Sequence, residues 1–165
     1  MCKIEPLAEE IEPKQIMKIH IKRYSFVLVM GFSFTMSPAF SVEPTITVWK
    51  SASCGCSQRW VDYLQDDGFE VTAHNVDDIV SIKKKLGIND SALYSCHTAK
   101  VGGYIIEGHV PASDIRRLLN ERPKLMGLTA PGMPQMSPGM FSIEPKGYDV
   151  LQFNAEQEVS VFSSY

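Results

Sequence analysis

The chain is poor in the side chains that most often carry chemistry: four cysteines, four histidines and two tryptophans in 165 residues. It has no Walker or dinucleotide fingerprint and no internal repeat, which removes the common nucleotide-binding and solenoid classes. Basic residues are not in excess, with 16 Lys+Arg against 19 Asp+Glu and a formal net charge of −3, which argues against a nucleic-acid surface. Its one long apolar stretch, residues 24–36, falls short of the roughly 20 residues that span a bilayer.

That stretch reads instead as an export signal. Lys18, Lys22 and Arg23 precede Phe26, Val27, Leu28, Val29, Met30, Phe32 and Phe34, and Ala39-Phe40-Ser41 then supplies the small residues that a signal peptidase reads. Residues 1–41 are expected to be a leader cut after Ser41, leaving an exported protein with no stable membrane insertion. Glu5, Glu9, Glu10 and Glu12 do not suit the start of a signal, so synthesis is expected to begin at Met17. The remaining residues 42–165 suffice for one domain with a single core. They carry 11 basic and 15 acidic residues, a net charge of −4. Small molecules, metal ions or protein partners fit that surface better than a polyanion does.

Cys2 leaves with the leader, and the three cysteines that stay cannot all pair internally. In an exported domain at least one is then free, bridged to a partner or bound to metal. Cys54 and Cys56 lie in Trp49-Lys50-Ser51-Ala52-Ser53-Cys54-Gly55-Cys56-Ser57, between a strand-like and a helix-like run. A helix N-terminus stabilises thiolates, so the position points to sulfur chemistry or to a soft metal. The bland alternative is a capped turn with two buried thiols.

Residues 45–49 read as a strand, and residues 57–67 as a helix with Trp60, Val61 and Leu64 on one face and Gly68 as its stop. Residues 69–76 read as a second strand. Asp77 or Asp78 then caps a helix with Ile79, Ile82 and Leu86 inward, and Lys83, Lys84 and Lys85 read as a solvated face. Residues 98–101 and 104–107 flank Gly102-Gly103, a hairpin signature, and Pro111 opens a helix with Ile115, Leu118 and Leu119 on one side. The order βαβα then ββα predicts an α/β thioredoxin-like fold, a mixed sheet flanked by helices. Residues 124–147 read as a Met/Pro/Gly-rich loop and residues 148–165 as a terminal hairpin extension, whose exposed strand could serve as a docking edge. In such a fold the loop entering the third strand, here Ser95-Cys96-His97-Thr98, lies against the start of the first helix. Cys96 and His97 are then expected beside Cys54 and Cys56 from about 40 positions away in sequence.

The chain resembles the thioredoxin-like periplasmic copper-resistance proteins called CopG, a family long described as a domain of unknown function. The resemblance covers about residues 45–153. It rests on Val48-Trp49-Lys50 leading into Cys54-Gly55-Cys56, on Ser95-Cys96-His97-Thr98-Ala99, and on Val101-Gly102-Gly103-Tyr104 with Glu107-Gly108-His109-Val110-Pro111-Ala112. Pro131-Gly132-Met133-Pro134 and Ser137-Pro138-Gly139-Met140 complete it. The resemblance implies a periplasmic location, copper binding through clustered cysteines and an oxidoreductase role in copper handling, with a periplasmic copper-handling or redox protein as partner. The family usually reads Cys-Gly-Cys-Cys where this chain reads Cys54-Gly55-Cys56-Ser57, so the Cys-x-x-Cys spacing of dithiol exchange is lost.

Thiolates are soft donors that favour Cu(I), so Cys54, Cys56 and Cys96, with His97 as a possible fourth donor, are the expected ligands. His97 could equally hydrogen-bond a backbone carbonyl, and His74 and His109 read as structural. Met133, Met136 and Met140 lie in a Pro/Gly-rich segment, where thioethers either fill gaps or present themselves to Cu(I). Two other readings stay open. One is a thiol-disulfide oxidoreductase with Cys54 or Cys56 as nucleophile, Cys96 as resolving thiol and His97 assisting. The other is a structural Cys₃His zinc site, whose ligand spacing would be unusual.

Overall fold

Along Ile46, Thr47, Val48, Trp49 and Lys50 burial alternates between full and partial, the period-two signature of a strand with one face in the core; this is β1 (Ile46–Lys50). A computed structural model describes residues 43–142 and 144–165. The expected leader lies outside the described residues, and among these no helix is long and apolar enough to cross a membrane.

After β1, the chain turns through Ser51 to Cys54 into α1 (Gly55–Asp66), which buries Trp60, Val61 and Leu64 against the sheet. Each such burial contributes about 1.5–3 kcal/mol. Gly68, at φ 97°, takes the left-handed conformation that lets the helix stop. β2 (Val71–Asn75) runs parallel to β1, and Asp78 caps α2 (Ile79–Lys85) by accepting from the Ser81 N–H at 3.0 Å. β3 (His97–Val101) and β4 (Tyr104–Gly108) form the hairpin read from Gly102-Gly103, both glycines having positive φ. Pro111 then caps α3 (Ala112–Glu121), with Ile115, Leu118 and Leu119 buried.

The strands join one seven-stranded sheet in the order β2-β1-β3-β4-β5-β6-β7, where β5 is Gly127–Ala130, β6 Asp149–Phe153 and β7 Val159–Ser164. β1 pairs with β2, and β4 with β5, in parallel; the other pairings are antiparallel. This mixed α/β sheet, with its βαβα then ββα order, is the arrangement on which the thioredoxin-like expectation rested. The terminal hairpin of β6 and β7 is present too, and β7 forms an open edge.

Two local expectations need correction. Residues 124–147 are not one loop, because β5 lies inside them with all four of its residues buried. A Cβ on Gly127 would sit 2.0 Å from the Ile105 carbonyl oxygen, so glycine is what allows β5 to lie against β4 in this register. The lysine run is also not uniformly solvated: Lys84 and Lys85 are exposed, but Lys83 is 1% exposed while Ile79 and Ile82 are only half-buried. Position 83 falls four residues after Ile79 and three before Leu86, on the inward face of α2.

Candidate metal centre

Strand register explains why cysteines distant in sequence meet. Lys50, the last residue of β1, is opposite His97, the first of β3. The chain leaving β1 toward Cys54 and the chain entering β3 through Cys96 therefore lie at the same end of the sheet. Cys54 is the N-cap of α1 and Cys56 lies in its first turn. The Cys54 and Cys56 sulfurs are 3.2 Å apart and those of Cys56 and Cys96 3.6 Å apart. All three are free thiols, partly exposed, with sulfurs within 4.8 Å of one another. A metal–thiolate bond of about 2.3 Å would hold three sulfurs roughly 4 Å apart around one ion, so the trio fits a single soft cation with little movement.

The three thiols are electrostatically unequal. Burial pushes Cys54 up, but hydrogen bonds from the Ser57 side chain and backbone, with Cys56 and Cys96 adding to them, leave it below the ordinary thiol value. Burial and then the neighbouring Cys54 raise Cys56. Cys96 is pushed up to about 12, first by burial and then by Cys56. Only Cys54 is therefore biased toward the thiolate before metal arrives. At neutral pH, in the metal-free reduced protein, iodoacetamide is expected to modify Cys54 first and Cys96 last, and Ser57→Ala to slow the Cys54 step severalfold. Peptide mass mapping of a time course reads the order, and faster labelling of Cys96 than Cys54 would contradict these microenvironments.

His97 is next to this trio but faces the core. Its Nδ1 is 3.0 Å from the Ser57 hydroxyl, which donates to the Cys54 sulfur at 3.1 Å, giving a chain from imidazole through hydroxyl to thiol. The His97 ring packs on Trp60, with centroids 4.4 Å apart, and edge-on against His109 at 4.8 Å; both imidazoles are fully buried. His109, read from the sequence as structural, donates from Nδ1 to the Pro138 carbonyl at 2.8 Å, and so ties the loop after β5 to the floor of the site. Its place behind His97 is set by the β3–β4 hairpin, a tertiary fact that residue spacing did not contain.

Burial lowers both imidazoles below their ordinary 6.5, His97 strongly so and with His109 adding to the effect. The unfolded chain then takes up protons first as pH falls. Stability is expected to decline below about pH 6.5, by up to ~1.4 kcal/mol per imidazole per pH unit, until the folded values are reached. Burial raises the Glu107 carboxyl, which works in the opposite direction. The informative comparison is therefore urea unfolding of the parent and of His109→Asn at about pH 7 and about pH 5. The parent should lose more stability on acidification, and equal losses would contradict the assignment.

Residues 131–140 strap across the same end of the fold. Ser95 is bridged to Gly132, its hydroxyl donates to the Gly132 carbonyl, and the Gly132 N–H donates to the Tyr94 carbonyl at 3.0 Å. Arg59 Nε donates to the Gly139 carbonyl at 2.8 Å, and a Cβ on Gly139 would come within 2.6 Å of the Trp60 nitrogen, so the strap lies directly on α1. Met133 is exposed and follows Gly132, beside the residue that precedes Cys96. Met136 is also exposed, while Met140 lines an open cavity of about 610 Å³ with Arg59, Tyr63 and Phe141. His74 is far from this arrangement in role, stacked with Trp49 at the β2 edge.

A family model described as a protein of unknown function, DUF411, matches residues 93–140, the stretch that holds Cys96, the β3–β4 hairpin, α3 and the strap. Two solved structures described as copper resistance protein CopG, form 1 and form 2, are each 39% identical to the chain. They superpose with a TM-score of 0.68 and cover 74% of this chain and 98% of theirs. The chain belongs to the CopG family. No curated protein matches it. Membership in the CopG family, together with a trio of sulfurs spaced for one soft ion, gives the chain a copper-related metal-binding role.

Proposed function

We propose that the chain is a periplasmic copper-binding protein that takes up Cu(I) through Cys54, Cys56 and Cys96 and holds it for buffering or transfer to a copper-handling partner. The observation that carries this reading is the convergence of three free sulfurs, from two separate segments, to within 4.8 Å. Thiolates favour Cu(I), and three of them form a complete shell for an ion content with low coordination. Export of the chain, as the basic-then-apolar segment before Ser41 suggests, would place the site where copper enters the cell envelope.

Specific features weigh against the competing readings. A structural zinc site needs a fourth protein donor, and His97, the nearest imidazole, is tied through Nδ1 to Ser57 and packed under Trp60. In this reading His97 acts through Ser57 on Cys54. Met133 is the methionine best placed to add a thioether from the solvent side, since its neighbour Gly132 is bridged to Ser95. Dithiol exchange would need Cys96 to attack as a thiolate, whereas burial and then Cys56 push its thiol up to about 12. A copper-centred electron transfer remains compatible with the site because the sulfurs need not form a disulfide.

An anaerobic Cu(I) titration against a competing chromophoric chelator tests the reading. The reduced protein should bind copper tightly, with displacement by equimolar Zn²⁺ undetectable. Preference for Zn²⁺, or disulfide reductase turnover by the metal-free protein, would overturn it.

A further inference from the structure

The ion pair formed by Lys83 of α2 and Glu107 of β4 lies outside the sulfur trio, with its side chains 1% and 0% exposed. Desolvating two charges costs about as much as their attraction returns, so such a pair is a poor source of stability and calls for another explanation. Its hydrogen bonds supply one. Glu107 Oε1 takes the Lys83 ammonium and also the backbone N–H of Ser95 at 2.7 Å, while its Oε2 accepts from the Thr98 hydroxyl at 2.5 Å. Lys83 in turn donates to Thr98 Oγ1 at 2.7 Å and lies 5.4 Å from the centre of the Tyr94 ring. One carboxylate thus grips Ser95 and Thr98, the residues on either side of Cys96 and His97, and the lysine it pairs with touches Tyr94 and Thr98.

We propose that Glu107, held in place and in charge by Lys83, is a positioning residue for the metal centre: it fixes the turn into β3 so that the Cys96 sulfur faces those of Cys54 and Cys56. On its outer side the Cys96 turn is held by the Ser95 and Tyr94 bonds to Gly132. Before it Tyr94 bonds to Ser91 and Ile88, and after it His97 pairs with Lys50. On its inner side the Ser95 N–H has Glu107 as its acceptor. Lys83 and Glu107 bind no metal. They act through the backbone N–H of Ser95, which loses its acceptor if the carboxylate goes. This inference rests on the three sulfurs being the copper site, but its test needs no metal.

In the reduced full chain carrying Cys2→Ser and Cys54→Ser, only Cys56 and Cys96 remain, and dibromobimane, a short bifunctional thiol reagent that fluoresces when it bridges two sulfurs, reads their juxtaposition. Two double variants are compared in that background. Lys83→Met with Glu107→Met removes both charges and every acceptor, whereas Lys83→Met with Glu107→Gln removes the charges but keeps an amide oxygen for the Ser95 N–H. The bridging rate, taken relative to iodoacetamide labelling of the single thiols in the same variant, should fall at least about tenfold in the first and return to within about twofold of the parent in the second. If the methionine pair does not fold, Glu107→Asp, which keeps the charge but withdraws the carboxylate from Ser95, should show the same fall. Bridging at the parental rate in the methionine pair or in Glu107→Asp overturns the proposal, as does an equal fall in the glutamine pair. Failure of the protein to bind copper while these rates behave as expected would count against the copper reading alone.

Discussion

Cys96→Ser is expected to weaken Cu(I) binding by about a hundredfold or more, ~2.7 kcal/mol of binding free energy, and Cys56→Ser to do the same. The sulfurs come from two chain segments that meet only through the pairing of Lys50 with His97. Removing Cys96 therefore leaves a two-sulfur site supplied by one turn, and removing Cys56 takes away the sulfur that touches both others, at 3.2 and 3.6 Å. A serine hydroxyl does not replace a thiolate for a soft cation. Binding should also tighten with pH: Cys96 is held protonated up to about 12 and Cys56 is raised too, so copper must displace their protons. Ser57→Ala, which removes the hydroxyl that links His97 to Cys54, should cost about tenfold, the low end of the range typical of groups that support a ligand without being one. Chelator competition at two pH values measures all of these, and equal affinities for the parent and Cys96→Ser would refute the shared site.

Lys83→Met alone is expected to destabilise the fold by about 3–5 kcal/mol, because it leaves Glu107 buried without its counter-charge. Burial pushes Lys83 down and Glu107 up from their ordinary values, and each is drawn back by the other, the pattern of two charges that tolerate the interior only together. Replacing both at once removes the desolvation cost along with the attraction, so the double variant Lys83→Met/Glu107→Met should recover most of the loss. Urea unfolding of the single and double variants gives the comparison. Additive destabilisation would show that the charges do not depend on each other.

Much of the architecture was legible from local chemistry. Gly102-Gly103 between two β-rich runs specified the β3–β4 hairpin, the pair Asp77-Asp78 the start of α2, where Asp78 is the cap, and Trp60 with Val61 and Leu64 the inward face of α1. The cysteine trio was legible because the order of elements placed two loops at one end of the sheet. β5 escaped notice because four residues in a Pro/Gly-rich segment carry little periodicity, and its strand identity comes from pairing with β4 and β6. The supporting side chains were hidden for a different reason. Ser57 and His109 matter through partners 40 and 29 positions away and Glu107 through partners 9 to 24 positions away, and no local pattern reports such contacts. Lys83 alone left a readable trace, a charge on the apolar stripe of its own helix, which three consecutive lysines disguised as a polar face.

X-ray absorption at the copper edge of the Cu(I)-loaded protein tests the account most directly. It should show a first shell dominated by sulfur at about 2.3 Å, diminished in Cys96→Ser. A shell of nitrogen or oxygen donors, or a sulfur shell indifferent to the loss of Cys96, would contradict it.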